Sequence, residues 1–400
     1  MEKQHDVVIV GGGLVGSSLA IALESSGLDV AFVEAAPAGE LPPVFDERNL
    51  SFAETTCQAL ARLGIWQHLR SASPIRRIHT TRRGDFGKVV MAAREYGREA
   101  FGHVVTASDF GQALETRIAQ VGNLQRYRPA RFVGSWLAAN GLRQLEIESG
   151  GERQRVQARL LVGADGMQSA VRQALGIAAE QYDYQQVLFV CRVRTSRPPD
   201  GTAWERLGEH GPTALLPRLD RHYGLVHGVA ADEADTVAAL DEAAWLTRLQ
   251  EAFGWRAGRF LASGARSRYP MLRVVAERLM APRAVLLGNA AQSIHPLGAQ
   301  GFNLGLRDAL TLVEEIGRHG LDTPQLLETY AERRRQDRER TLSFSDGMAK
   351  ISANPGLGVS LMRSIGMGIL ANTPGLRGQL AAGGMGYRGD LPELCREVMQ

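Results

Sequence analysis

The run Asp-Val-Val-Ile-Val at residues 6–10 leads straight into Gly11-Gly12-Gly13-Leu14-Val15-Gly16, and no other stretch limits the fold so tightly. A short apolar run rich in β-branched residues predicts a buried parallel strand. Gly11, Gly13 and Gly16 follow at GxGxxG spacing, and residues 14–25 carry a helical pattern that Leu14 and Val15 open. The first glycine permits the tight turn, the second lets a pyrophosphate approach the backbone, and the third allows close packing of helix on strand. The helix N-terminus then faces the phosphates. Residues 30–33 predict a second strand that ends at Glu34, placed to accept hydrogen bonds from ribose hydroxyls. Together these elements predict a dinucleotide site, but they do not separate NAD from FAD.

Two later segments make that separation. Residues 159–164 read as another strand and run into Asp165-Gly166, with Ser169 and Arg172 following in a DGxxSxxR pattern. Asp165 can cap the helix that follows, and Arg172 can lock the loop. Residues 284–287 predict a further strand that leads into Gly288-Asn289-Ala290-Ala291-Gln292, then His295-Pro296 and Gln300-Gly301-Phe302-Asn303. Residues 301–317 predict a helix with an apolar stripe at Phe302, Leu306, Leu310 and Val313. Its positive N-terminal end would favour negative charge at the turn, where Gly298 and Gly301 keep side chains away.

In this order, the segments resemble the flavoprotein monooxygenases related to para-hydroxybenzoate hydroxylase. Within them the chain is most similar to the ubiquinone-biosynthesis FAD-dependent hydroxylases, in particular the branch that acts on 2-polyprenyl-6-methoxyphenol. Residues 46–48, 209–212, 252–256 and the Arg333-Arg334-Arg335 run support this, and the resemblance covers residues 5–345. It implies FAD as cofactor and NADPH or NADH as co-substrate. The residues it implies as cofactor-binding are Gly11, Gly13, Leu14, Val15, Gly16, Glu34, Arg48, Asp165, Gly166, Arg172, Gly288, Asn289, Pro296, Gly298, Gly301, Phe302 and Asn303. Asn289 in place of the broad family's aspartate, keeping an acceptor but losing the charge, and Gln292 in place of its histidine point to the narrower group, from which Gly298-Ala299 departs by replacing the usual Ala-Gly.

The expected fold is α/β, α+β overall: a Rossmann-like FAD-binding domain with an interleaved antiparallel-sheet substrate domain. The FAD-binding part would take residues 1–75, 106–178 and 266–345, and the substrate part 76–105 and 179–265, with a C-terminal helical region over 346–400. Strands are expected at 187–193, 213–216 and 224–230, with a helix over 241–253. His210, Tyr223 and His227 could touch a phenol, but satisfied structural hydrogen bonds are the better account of each. No pair of residues declares itself a general base, and no catalytic residue is assigned. Residues 330–341 read as a solvated, ion-paired helix.

Composition narrows the function further. The net charge of +3 is too mild to argue for nucleic acid, and three lysines stand against 43 arginines. Cys57, Cys191 and Cys395 lie far apart, with neither disulfide nor metal-ligand spacing, which fits a cytoplasmic protein. No apolar run approaches the roughly 20 residues needed to cross a bilayer. The Gly-, Met- and Leu-rich stretch 348–386 could take an isoprenoid tail or a partner, or pack on the FAD-binding domain.

The resemblance implies hydroxylation of a polyprenylated phenol with NAD(P)H and O2. It also implies a multienzyme ubiquinone-synthesis complex and peripheral membrane contact. A sister hydroxylase acting at another ring carbon, a hydroxylase of small soluble aromatics and a non-catalytic flavin-binding assembly component remain as alternatives. Ring position, tail length, NADH against NADPH and oligomeric state are not legible in the sequence.

Overall fold

Lys3–Val10 forms the middle of an eight-stranded sheet in the computed structural model, which describes residues 3–397. Its parallel partners are Glu152–Gly163 on one side and Val30–Val33 on the other. Ala284–Leu286 extends the parallel order beyond Glu152–Gly163, and Leu124–Tyr127 extends it beyond Val30–Val33. A central strand with both faces covered needs a continuous apolar run. Val7, Val8 and Ile9 are accordingly fully buried. The register matters more than the composition. Val10 lies opposite both Gly163 and Val33, and Gly163 lies opposite Leu286. The three glycine segments and Glu34 therefore start side by side, at the carboxyl ends of adjacent parallel strands, where open α/β sheets bind ligands.

A second, nine-stranded sheet runs in the order Gln292–Ser293, Ser267–Ala276, Ala179–Thr195, Tyr223–Ala230, Gly211–Pro217, Thr202–Gly208, Arg77–Arg82, Val89–Ala92, with Phe260–Ser263 pairing to Ala179–Thr195. Its pairs are antiparallel except Thr202–Gly208 with Arg77–Arg82. Ser267–Ala276, grouped by sequence with the FAD-binding segments, pairs here with Ala179–Thr195. One face of this sheet packs on the helix Glu242–Phe253, whose Trp245, Leu249 and Phe253 meet Phe189, Leu215 and Leu225. Burying side chains of this size contributes roughly 1.5–3 kcal/mol each. A small sheet of Asn49–Ala53, Gly102–Thr106 and Ser73–Pro74 lies within the intervening segments.

The helix Gly301–His319 lies on Leu14–Ala22 and on the long helix Gln325–Ala353. Here one expectation needs correction. The arginine-dense stretch 330–341 is only partly solvated: Arg334 and Tyr330 are fully buried, while Arg335 is exposed and pairs with Glu332. Arg334 donates to Asp308 at 2.7 Å and to Asp337 at 2.6 Å, and Arg307 donates to Asp337 at 2.7 Å. Interleaved charges read as a wet surface in sequence, but here they close a buried network between two helices. Beyond it come the helices Leu357–Asn372 and Pro374–Gly384. Among the described residues, no helix is long and apolar enough to cross a membrane.

Candidate FAD and active site

The first turn has little room for side chains. Gly11 adopts φ +110°, and a Cβ there would lie 2.4 Å from the Ala164 carbonyl oxygen. At Gly16 a Cβ would lie 2.0 Å from the Gly11 carbonyl oxygen, which is the close helix-to-strand approach. Gly13 differs: its nearest neighbour would be Val44 at 3.8 Å, so nothing in the chain itself forbids a side chain. That open side lies at the N-terminus of Leu14–Ala22, a helix with no side-chain cap and unpaired leading amides suited to a pyrophosphate.

Glu34 is buried and accepts from the amides of Gly12 at 2.5 Å and Ala36 at 2.6 Å. A carboxylate offers about four acceptor positions, so two remain for ribose hydroxyls. Gly12, absent from the sequence-derived set, is part of this arrangement, since a Cβ there would lie 2.4 Å from Glu34 Oε2. Its signal was present in the sequence as the middle residue of a Gly-Gly-Gly run, but the GxGxxG pattern leaves that position free.

The second turn is internally locked. Ser169 donates to Asp165 Oδ1 at 2.5 Å, and Asp165 Oδ2 accepts from the Val171 amide at 3.0 Å. Ser169 Oγ also accepts from the Arg172 amide at 2.9 Å, capping the short helix Ala170–Ala174. Gly166 turns the chain at φ +86°. The buried Arg172 guanidinium donates to the carbonyls of Met167 and Ala290, both at 2.8 Å. Asp165 and Arg172 thus shape the loop and tie it to the third segment.

At the third segment, Gly288 adopts φ +56°, and a Cβ there would press on Val15 at 2.9 Å. Gly305 meets the same Val15 from the other side, where a Cβ would approach to 2.7 Å. Val15 therefore holds the first and third segments in register. Asn289, Pro296, Gly298 and Gly301 are all exposed, and the Asn289 side chain makes no hydrogen bond among the described residues. Gln300, at the N-cap of Gly301–His319, offers no side-chain cap, so the first amides of this helix also stay open. Apart from Pro296, which has no backbone donor, these residues form a lining of backbone amides and one free side-chain amide, which fits the polar edge and ribityl chain of a flavin.

Phe302 and Asn303 turn inward. Phe302 packs against Phe52 and Phe110 at centroid distances of 5.2 and 5.1 Å. The Asn303 side chain accepts from the Ala53 amide at 2.9 Å and Thr56 at 2.7 Å, and donates to the Ser51 and Ala299 carbonyls at 3.0 and 2.7 Å. All four of its hydrogen-bonding positions are taken, so the Asn303 side chain has none left for a ligand. Ala299 sits at φ +51°, beside Gly298 at φ +76°. A non-glycine residue in this region carries roughly 1–2 kcal/mol of strain, so the Gly-Ala order keeps the turn at a cost.

Arg48 donates to Asp46 at 2.8 Å and lies 4.6 Å over the Tyr269 ring, while the Tyr269 hydroxyl bonds the same Asp46. This pins the segment after Val30–Val33 to the second sheet, with the guanidinium partly exposed. His227 and Tyr223 are buried on the helix-covered face of that sheet, and His227 bonds Thr213 at 2.9 Å. Burial pushes the His227 imidazole down to about 3, so it is neutral. His210 lies exposed in a hairpin turn. His227 and Tyr223 thus belong to the core under that helix, and His210 faces solvent.

Comparison with known proteins agrees with this geometry. The family described as "FAD binding domain" matches residues 4–345. The chain is 32% identical over 376 residues to the ubiquinone hydroxylase UbiL of Rhodospirillum rubrum, covering 92% of this chain and 86% of that protein. It is 30% identical over 322 residues to the 3-demethoxyubiquinol 3-hydroxylase of Escherichia coli, covering 78% and 79%. In fold it is similar to the crystal structure of p-nitrophenol 4-monooxygenase PnpA from Pseudomonas putida, with a TM-score of 0.79, 17% identity and coverage of 97% and 99%. The chain belongs to the FAD-binding-domain family of flavin-dependent monooxygenases, in which the ubiquinone hydroxylases are its relatives.

Proposed function

We propose that this protein hydroxylates the ring of a polyprenylated phenol in ubiquinone biosynthesis, with 2-polyprenyl-6-methoxyphenol as the substrate and NAD(P)H and O2 as co-substrates. The observation that carries this reading is the exposed line Asn289, Pro296, Gly298 and Gly301, set beside a second sheet whose Leu207 packs on Leu297. Bound there, FAD would supply hydride acceptance from the nicotinamide and the activation of oxygen for transfer to the ring. The chain's own part is to hold and shield. Gly13 and the amides of Leu14–Ala22 would hold the pyrophosphate, Glu34 the adenosine ribose, and Asn289 the ribityl chain. The N-terminus of Gly301–His319 would stabilise negative charge on the reduced ring. Arg48 would border the route of the nicotinamide. The FAD-binding part would comprise residues 1–75, 106–178 and most of 266–345, and residues 76–105 and 179–265 would cover the substrate.

The polyprenyl tail and a membrane contact are supported at the C-terminal side. Leu357, Leu361, Met362, Ile365 and Ile369 are exposed along Leu357–Asn372, and Phe86 is exposed on a neighbouring hairpin. The two segments are joined by Arg363, which donates to Asp85 at 2.8 Å. Arg83 and Lys88 are exposed on the same hairpin and suit anionic headgroups. The inner side of the region packs on the body of the protein through Met385 and Ala381. The outer face is thus left for a tail or a membrane surface, while the inner face packs on the body. The test is NAD(P)H oxidation by the purified FAD-loaded protein: a short-chain 2-alkyl-6-methoxyphenol should stimulate it and yield hydroxylated product. Its absence with every phenol tried would overturn the reading.

A further inference from the structure

The sequence offered no candidate for a general base, but the second sheet places one. Along Thr202–Gly208, alternate residues point to opposite faces. Trp204 and Arg206 face the helix Glu242–Phe253, where Trp204 joins its apolar cluster and Arg206 donates to the Phe253 carbonyl at 2.5 Å. Ala203, Glu205 and Leu207 face the other way. Ala203 packs into the cluster that includes Met91, Phe101 and Met385. Leu207 packs on Leu297, at the start of the exposed turn that carries Gly298 and Gly301. Glu205 lies between these two contacts, with Thr80 and Ala214 as its cross-strand neighbours.

This face is apolar around the carboxyl, yet it is not closed. Ile78, Ala214, Leu216 and Val226 are only half-buried, as is Glu205 itself. Across the same face, the Asn49 amide sits against Gly224, and neither its Nδ2 nor its Oδ1 has a partner although both atoms are buried. A carboxyl and an unpaired amide on an apolar wall beside the flavin turn form a site for a ring that carries oxygen substituents.

We propose that Glu205 accepts the proton of the substrate's phenolic hydroxyl and so activates the ring for oxygen transfer. This rests on the hydroxylase reading above. The O–H bond breaks, the proton moves to a Glu205 carboxylate oxygen, and the electron pair stays on the phenolate. That pair raises electron density at the ring carbons ortho and para to the oxygen. After hydroxylation, Glu205 returns the proton to the product. Glu205 gives and takes no electrons, since the oxygen atom comes from O2 and the reducing pair from NAD(P)H.

The electrostatics suit the task. Burial pushes the Glu205 carboxyl up to about 7, opposed only by the hydrogen bond from Thr80. A base poised near the working pH transfers protons most effectively. Among the described residues it makes no ion pair. On the strand beside it Arg82 is engaged by Asp85, and His79 lies against Trp204 on the opposite face. Beyond Leu207, Tyr184 bonds Asp346 and stacks on His295, which burial holds neutral at about 4.

The experiment compares wild type, Glu205→Gln and Glu205→Asp as FAD-loaded proteins, with a short-chain 2-alkyl-6-methoxyphenol and its more acidic ring-fluorinated counterpart. In wild type, kcat/KM should rise with pH and level off near 7, as the carboxyl ionises. Glu205→Gln should keep its FAD, lose about 10²–10⁴-fold in phenol-stimulated kcat, and lose that limb of the pH profile. Glu205→Asp should recover part of the loss. The fluorinated phenol, which ionises without help, should rescue the glutamine variant by at least about tenfold relative to its parent. A glutamine variant with wild-type kcat and an unchanged pH profile would overturn the proposal while leaving the hydroxylase reading intact. A loss that the fluorinated phenol does not rescue would also overturn it, by marking Glu205 as structural. Wild type with no phenol-stimulated turnover would instead remove the hydroxylase reading itself.

Discussion

Arg172 donates to the carbonyl of Ala290 at 2.8 Å, and this buried bond joins the second glycine turn to the third across 118 residues of sequence. With the Met167 carbonyl bound by the same guanidinium, one side chain sets the spacing of two walls of the FAD site. Truncation would leave the buried Ala290 carbonyl without a donor, at roughly 1–3 kcal/mol, and the partly buried Met167 carbonyl at a smaller cost. Arg172→Ala should therefore lower the unfolding free energy by about 2–4 kcal/mol and release FAD, read by denaturant unfolding and by flavin absorbance after gel filtration. A variant with wild-type stability and full flavin content would show that the tie is dispensable.

Gly13 and Gly16 belong to one motif but should fail differently. A side chain at Gly13 meets only Val44 at 3.8 Å, whereas one at Gly16 meets the Gly11 carbonyl oxygen at 2.0 Å. Gly13→Val should give folded, colourless protein with near-normal circular dichroism. Gly16→Val should lose both flavin and stability, because the clash is with backbone. A yellow, FAD-loaded Gly13→Val protein would sink the pyrophosphate assignment.

The buried network behind the site should impose a pH limit on stability. Desolvation alone would raise the Asp337 carboxyl, but Arg307 and Arg334 outweigh it and hold the group down at about 2. A carboxyl depressed in the folded state contributes its stability above its unfolded value of roughly 3.9 and loses it as pH falls through the folded value. Thermal melts should show this contribution intact above about pH 5 and fading between about 4 and 2. In Asp337→Asn that part of the pH dependence should vanish, with a loss of roughly 3–5 kcal/mol at neutral pH from two under-compensated buried arginines.

The exposed face of Leu357–Asn372 should bind lipid. Replacing Leu361, Ile365 and Ile369 with serine removes apolar area while leaving the Arg363–Asp85 tie in place. The triple variant should lose at least about tenfold in sedimentation with anionic phospholipid vesicles, given roughly 25 cal/mol per Å² of buried apolar surface, yet still hydroxylate a short-chain phenol. Unchanged vesicle binding would remove this helix from the membrane contact.

Much of the architecture was legible because its causes are local. A β-branched strand, a glycine turn and a terminal acid fix a βαβ unit within residues 6–34 whatever the rest of the chain does. The alternation that turns Glu205 to one face and Trp204 to the other is equally local, but what that face meets is decided by Leu207 packing on Leu297, 90 residues later. Arg172 and Ala290, or Val15 between Gly288 and Gly305, are likewise contacts of the folded chain, which no spacing rule anticipates. Arg334 shows the converse failure. Its acidic neighbours in sequence suggest a solvated pair, whereas its partner Asp308 lies on another helix and both are buried. Charge pattern reports who can pair, not whether water remains.

The most direct test of the account is mass spectrometry of quinone intermediates in cells lacking this protein. In such cells 2-polyprenyl-6-methoxyphenol should accumulate and ubiquinone should fall, with both restored by the wild-type gene and neither by Gly13→Val. Accumulation of a different intermediate would move the protein to another ring position. An unchanged ubiquinone profile, in cells with no second hydroxylase to compensate, would contradict the assignment to this pathway.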